Sequence, residues 1–162
     1  LSRILIGGAT SPFTMTRRGG FVFWVDAQPE AVILRAPIGP NAIKTGEALT
    51  IAKVPKSKPR GIAADDTHVF WTDPESSRVR SASVDGGDEK ILATTKAPTH
   101  EVALDAARVY WTTTNEVSSA RKDGTDPVTY NTGGKDNRAV AVDDTWVFWV
   151  DAAQGTVNRI GK

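Results

Sequence analysis

One short pattern recurs four times in this chain of 162 residues, a valine and an aromatic residue followed by tryptophan: Val22-Phe23-Trp24, Val69-Phe70-Trp71, Val109-Tyr110-Trp111 and Val147-Phe148-Trp149. Successive tryptophans are 47, 40 and 38 residues apart. Six positions before the last three of them stands an aspartate, Asp65, Asp105 or Asp143, with Arg18 holding that place in the first copy. Self-similarity at a period of about 40 residues restricts a chain to stacked supersecondary units, because one unit of that size cannot bury its own apolar face.

The unit itself reads as strands. An apolar stretch such as Ile62-Ala63-Ala64 leads into an Asp-rich turn, and the Val-aromatic-Trp run follows. After a polar turn, a third strand begins at Val79, with equivalents at Val32, Val117 and Val157. Asp85-Gly86 and Asp123-Gly124 then supply hairpin turns, and a fourth strand follows, as at Lys90 to Thr94. Four short strands per repeat is the pattern of a propeller blade, and no stretch of ten residues carries helical periodicity. The sequence therefore predicts an all-β fold, a β-propeller of four four-stranded blades in one domain, with repeats near 13–58, 59–98, 99–137 and 138–162 plus 1–12.

The last copy lacks a fourth strand, and the N-terminal run Leu1 to Gly7 resembles one. From Trp149 to the last residue is 13 residues, and from the first residue to Trp24 another 24, so the wrapped gap matches the other spacings. The expectation is a ring closed by pairing the N-terminal strand with the last blade, which would remove an exposed edge. The alternative is that two chains each form half of an eight-bladed dimeric ring, so both a monomer and a dimer are open.

Twenty basic residues against nineteen acidic ones leave a formal charge of +1, which gives no general attraction to nucleic acid. Apolar runs are short, so no membrane span is expected. There is no cysteine, and the two histidines, His68 and His100, lie in different repeats, so neither a metal nor another cofactor is expected.

The segments Val69 to Asp73, Val109 to Thr113, Val147 to Asp151 and Val22 to Asp26, with the aspartate upstream and the Asp-Gly turn downstream, resemble the YWTD repeat of β-propellers, and bacterial secreted propellers of that superfamily in particular. The resemblance covers nearly the whole chain. It implies a non-enzymatic binding or scaffolding propeller, extracellular or periplasmic, recognising a protein or an extracellular polymer through its loop face. It carries over no catalytic residue, and four blades depart from the usual six.

Trp24, Trp71, Trp111 and Trp149 are expected in the core between blades, where a large aromatic side chain contributes most. Asp65, Asp105 and Asp143 are expected to hold turns by accepting backbone amides. Trp146 occupies the place of Phe21, His68 and Arg108 and is a candidate exposed aromatic. One set of side chains suggests chemistry. Phe13, Arg60, His100 and Arg138 each stand just before the innermost strand of a blade, at the expected mouth of the central channel. Two guanidiniums beside an imidazole suit a small anion, a carboxylate or phosphate, and Glu101 would weaken that field. A lectin-like propeller needs repeated sugar contacts, against which the divergent turns PESS, TTNE, AAQG and AQPE speak. A propeller-type hydrolase or lyase needs unrepeated acidic and histidine groups at the mouth, and only His100 and Glu101 qualify. Residues 38–47 form the longest insertion.

Overall fold

In the computed structural model, which describes the chain apart from residues 1–5, 8, 28–29, 40–42, 45–46 and 132, each aromatic run is the second strand of a meander. A short strand β1 (Ile6–Gly7) comes first. The first blade contains β2 (Pro12–Arg18), β3 (Phe21–Asp26) and β4 (Ala31–Pro37), and after the short β5 (Ile43–Lys44) it ends with β6 (Leu49–Val54). The second blade is β7 (Ile62–Ala64), β8 (His68–Asp73), β9 (Arg78–Ser83) and β10 (Lys90–Thr94). The third is β11 (Thr99–Leu104), β12 (Arg108–Thr113), β13 (Glu116–Arg121) and β14 (Val128–Asn131). The fourth is β15 (Asn137–Val142), β16 (Trp146–Asp151) and β17 (Thr156–Gly161). Within each blade, strands pair with their neighbours in chain order and antiparallel. The chain is an all-β, four-bladed propeller fold. Among the described residues no helix is long and apolar enough to cross a membrane.

Two sequence expectations need correction. Ile6–Gly7 pairs in parallel with Ile43–Lys44, inside the first blade's insertion, and not with β17, so the fourth sheet has three strands among the described residues. The rest of the expected closing strand, residues 1–5, lies outside the described residues, as do 40–42 and 45–46 of the insertion. The first blade's equivalent of Val79, Val117 and Val157 is Ile33 and not Val32. Ile33 pairs with Val25 just as those valines pair with Thr72, Thr112 and Val150. Five residues separate the paired Asp26 and Val32, against four between the paired Asp73 and Arg78, which shifts the count.

Side chains alternate across a strand, so each second strand serves two seams. Val69 and Trp71 face the first blade, in a core with Phe23, Val25, Ile33 and Ile62. Phe70 faces the other way, with Val79, Val102, Val109 and Trp111. Tyr110 and Val117 meet Val140, Val147 and Trp149 between the third and fourth blades. All four repeated tryptophans are buried, Trp71, Trp111 and Trp149 between blades and Trp24 on the outer face of the first blade. Each such side chain contributes about 1.5–3 kcal/mol by leaving water, so three seams hold the array together.

The fourth seam differs. Val22, Trp24, Leu34 and Ala36 cluster on the outer face of the first blade with no residue of the fourth. Met15 pairs with Trp24 as Ile62, Val102 and Val140 pair with their own tryptophans. Those three are buried, whereas Met15 is 66% exposed. Val157 is 77% exposed, although Ile33, Val79 and Val117 are fully buried.

Candidate functional site

The mouth is built by β-bulges. Between Pro12 and Met15, Thr99 and Val102, and Asn137 and Val140, the first strand takes one residue more than its partner. A bulge bends the strand and re-aims the residues in it. Phe13, His100 with Glu101, and Arg138 are the residues so placed. In the second blade Arg60 stands one residue before Gly61, whose carbonyl accepts from the Thr72 amide at 3.1 Å.

These side chains come together. Phe13, Arg60, His100, Glu101 and Arg138 line one hollow of about 240 Å³, with residues from all four blades. Phe13, Arg60 and Arg138 are exposed, and His100 and Glu101 are half-buried. A neighbouring hollow continues past Phe13 and Arg60 to Lys58 and Glu75.

Threonines fix half of this arrangement. Thr72 Oγ1 donates to the carbonyl of His100 at 2.8 Å and accepts from the Gly61 amide at 2.8 Å. Thr112 Oγ1 donates to the carbonyl of Arg138 at 2.8 Å and accepts from the Glu101 amide at 3.2 Å. One hydroxyl thus latches the bulge of the next blade to its own. Val25 and Val150 stand in that place in the first and fourth blades, so the segments carrying Arg60 and Phe13 have no such latch. The difference is visible in sequence as Trp-Thr against Trp-Val, but its meaning depends on which carbonyl lies opposite.

The electrostatics are asymmetric. Burial, then the guanidiniums of Arg138 and Arg60, push the His100 imidazole below its ordinary value. Neither ring nitrogen of His100 has a hydrogen-bond partner among the described residues. Burial pushes the Glu101 carboxyl up, and Oε1 accepts from the Val102 amide at 3.1 Å. Glu101 also marks a close approach between blades: a Cβ on Gly61 would stand 2.4 Å from its Oε1 and 2.7 Å from the Val102 nitrogen. Arg138 Nε reaches Asp136 at 2.7 Å. Two exposed guanidiniums, of which Arg138 meets a carboxylate, offer donors to an incoming anion, while the His100 ring nitrogens are buried without a partner among the described residues. His100 and Glu101 share no hydrogen bond among the described residues.

The other end of the channel has a larger hollow, about 570 Å³, reached by Arg18, Asp65, Asp66, Asp105 and Lys122. Its charges are matched across the seams. Arg18 meets Asp66 at 2.7 Å, Lys122 meets Asp65 at 3.0 Å and Lys162 meets Asp105 at 2.6 Å. Asp65, Asp105 and Asp143 hold the expected turns, each accepting two backbone amides at 2.7–2.9 Å. The interblade lysines were not read from the sequence. They follow the third strand directly, where the first and second blades have Ile38 and Val84. Trp146 lies at this end, half-buried, with the guanidinium of Arg159 over its ring at 4.4 Å. It stands apart from the mouth. Among the described residues no group of three His, Asp or Glu side chains is placed to hold a metal ion.

No protein-family model matches the chain, and no curated protein matches it. Solved structures do. A chain of a nidogen–laminin complex is 26% identical, with a TM-score of 0.65 over 80% of this chain and 57% of that one. This chain thus spans little more than half the length of that relative. The computationally designed protein Ika4 gives a TM-score of 0.79 at 14% identity, covering 99% of both chains. The designed protein Ika8 gives 0.77 at 14% identity over 98% of this chain and 49% of that one. A puromycin-hydrolysing peptidase of Mycobacterium tuberculosis gives 0.71 at 14% identity, over 99% of this chain and 30% of its own. At 14% identity these likenesses establish the fold alone.

Proposed function

We propose that this is a non-enzymatic binding propeller that holds an acidic segment of a partner protein at the channel mouth, outside the cytoplasm. The observation that carries this reading is the grouping of Arg60, His100 and Arg138 from three consecutive blades around one hollow, with the His100 ring nitrogens unpartnered. Guanidiniums in a concave site favour carboxylates over neutral ligands, and exposed Phe13 offers an apolar contact beside them. The resemblance to extracellular YWTD propellers supports the setting, as does the likeness to a chain of a nidogen–laminin complex, by its name an assembly of two proteins.

A carboxylate in the hollow would favour the imidazolium of His100, so binding would take up a proton. Affinity for a short Glu-rich peptide, measured by calorimetry, is expected to rise as pH falls from neutral toward 5 while the peptide stays ionised. Arg60→Ala with Arg138→Ala is expected to weaken it roughly tenfold or more, since each lost charge-assisted bond is worth about 1.5–3 kcal/mol. Unchanged affinity in that double variant would sink the reading.

A further inference from the structure

The two faces of the fourth seam are halves of a contact that the molecule already makes three times. The outward face of the fourth blade carries Val157, in the place of the buried Ile33, Val79 and Val117, and Phe148, in the place of the buried Phe23, Phe70 and Tyr110. The outward face of the first blade carries exposed Met15, in the place of Ile62, next to Val22 and Trp24, which stand in the places of Val69 and Trp71 and are already buried with Leu34 and Ala36. Beside it lies an apolar hollow of about 300 Å³ lined by Ala9, Pro12, Phe13, Met15, Val22 and Trp24. In every filled seam a residue of the Val79 type and one of the Val102 type share a single core. In the fourth, both partners are present in the chain and both are exposed.

We infer that a second copy of this chain closes these faces: the fourth blade of one copy packs on the first blade of the other, twice, in a two-fold ring of eight blades. The occupant is specified by the repeat, because a surface complementary to Val157 and Phe148 is one bearing Met15, Val22 and Trp24, and this chain has it. A head-to-tail contact made twice around a two-fold axis closes without leaving a free face. The seam so formed lacks the latch, as Val150 has no hydroxyl. It also lacks the rim ion pair, because Ile38 stands where Lys122 and Lys162 stand. It is therefore the seam that opens first on dilution.

The test begins with the native mass of the full chain by light scattering. The expected result is twice 17.4 kDa, falling on dilution into the submicromolar range. A mass of one chain at all concentrations would overturn the inference. Because the chain has no cysteine, Met15→Cys with Val157→Cys in one chain, treated with a short bismaleimide, reads the geometry directly. Cross-links between chains are expected. Cross-links confined within single chains would mean that the ring closes on itself and would overturn it. As a control on folding, Val157→Asp should yield a monomer with the circular dichroism of the parent, and adding Met15→Lys to the same chain should restore the dimer. A Val157→Asp protein that stays fully dimeric would also overturn it.

Discussion

Between the second and third blades, a buried apolar core, a threonine latch and an Asp65–Lys122 ion pair lie one above another. Between the fourth and first blades the same three positions hold exposed Val157 and Met15, Val150 in place of the threonine, and Ile38 in place of the lysine. Both pairs of blades descend from one repeat pattern, so the strands themselves do not explain the contrast. The contrast shows that a blade's meander and its seam are separable: hydrogen bonding within a sheet makes the blade, and a few side chains on its two faces decide whether it is joined.

The sharpest way to break this comparison is to empty one seam and then the other. Phe70→Ala removes a fully buried ring from the second seam and is expected to cost about 3–5 kcal/mol in urea denaturation. Phe148→Ala, at concentrations where single chains predominate, should cost less than about 1 kcal/mol. Equal costs would mean that the fourth seam is packed within one chain. Next in size is Gly61→Ala, whose methyl group would press on the Val102 backbone of the next blade. About 1–3 kcal/mol is expected in the same denaturation experiment.

The latch comes third. Thr72→Val leaves the His100 carbonyl and the Gly61 amide without their partner, for an expected loss of about 1–2 kcal/mol. Amide exchange should quicken in β7 and β11. Protection there as in the parent would show that the hydroxyl is dispensable.

The smallest effect is in the ion pairs. Burial alone would raise the Asp65 carboxyl, but the amides of Thr67 and His68 and the Lys122 ammonium outweigh it and hold it at about 2. Asp105 is held well below the usual carboxylate range, against its burial, by Lys162, Tyr110 and two amides. Both carboxyls titrate lower in the folded state than in the unfolded chain. Their contribution is therefore complete above the unfolded value of 3.8 and lost as pH falls through the folded value. Lys122→Met should lower stability by less than about 1 kcal/mol at pH 7. The difference from the parent should shrink in denaturation curves taken between about pH 4 and 2. A gap that widens with acid would contradict the sign.

The blades were legible because Trp71, Trp111 and Trp149 recur with the same neighbours, and period-2 alternation turns those neighbours into faces. The mouth residues were legible as a set because they share a place in the repeat. What brings them together was not. A bulge adds one residue to a strand without changing the residue types around it, so the re-aiming of His100 and Arg138 leaves no mark in the sequence. The slip from Ile33 to Val32 has a related origin, since both residues suit a strand and only the register with Val25 separates them. The pairing of Ile6–Gly7 with Ile43–Lys44 was hidden by a plausible competitor, because strand-like sequence identifies a strand and not its partner.

Each seam is encoded half in one blade and half in the next, Phe70 and Val79 meeting Val102 and Trp111. A gene that gains or loses one whole repeat by unequal recombination therefore needs no new residues at the join, since every tail already suits every head. Lineages built on such a unit can change blade number in one step and refine latches and ion pairs afterwards.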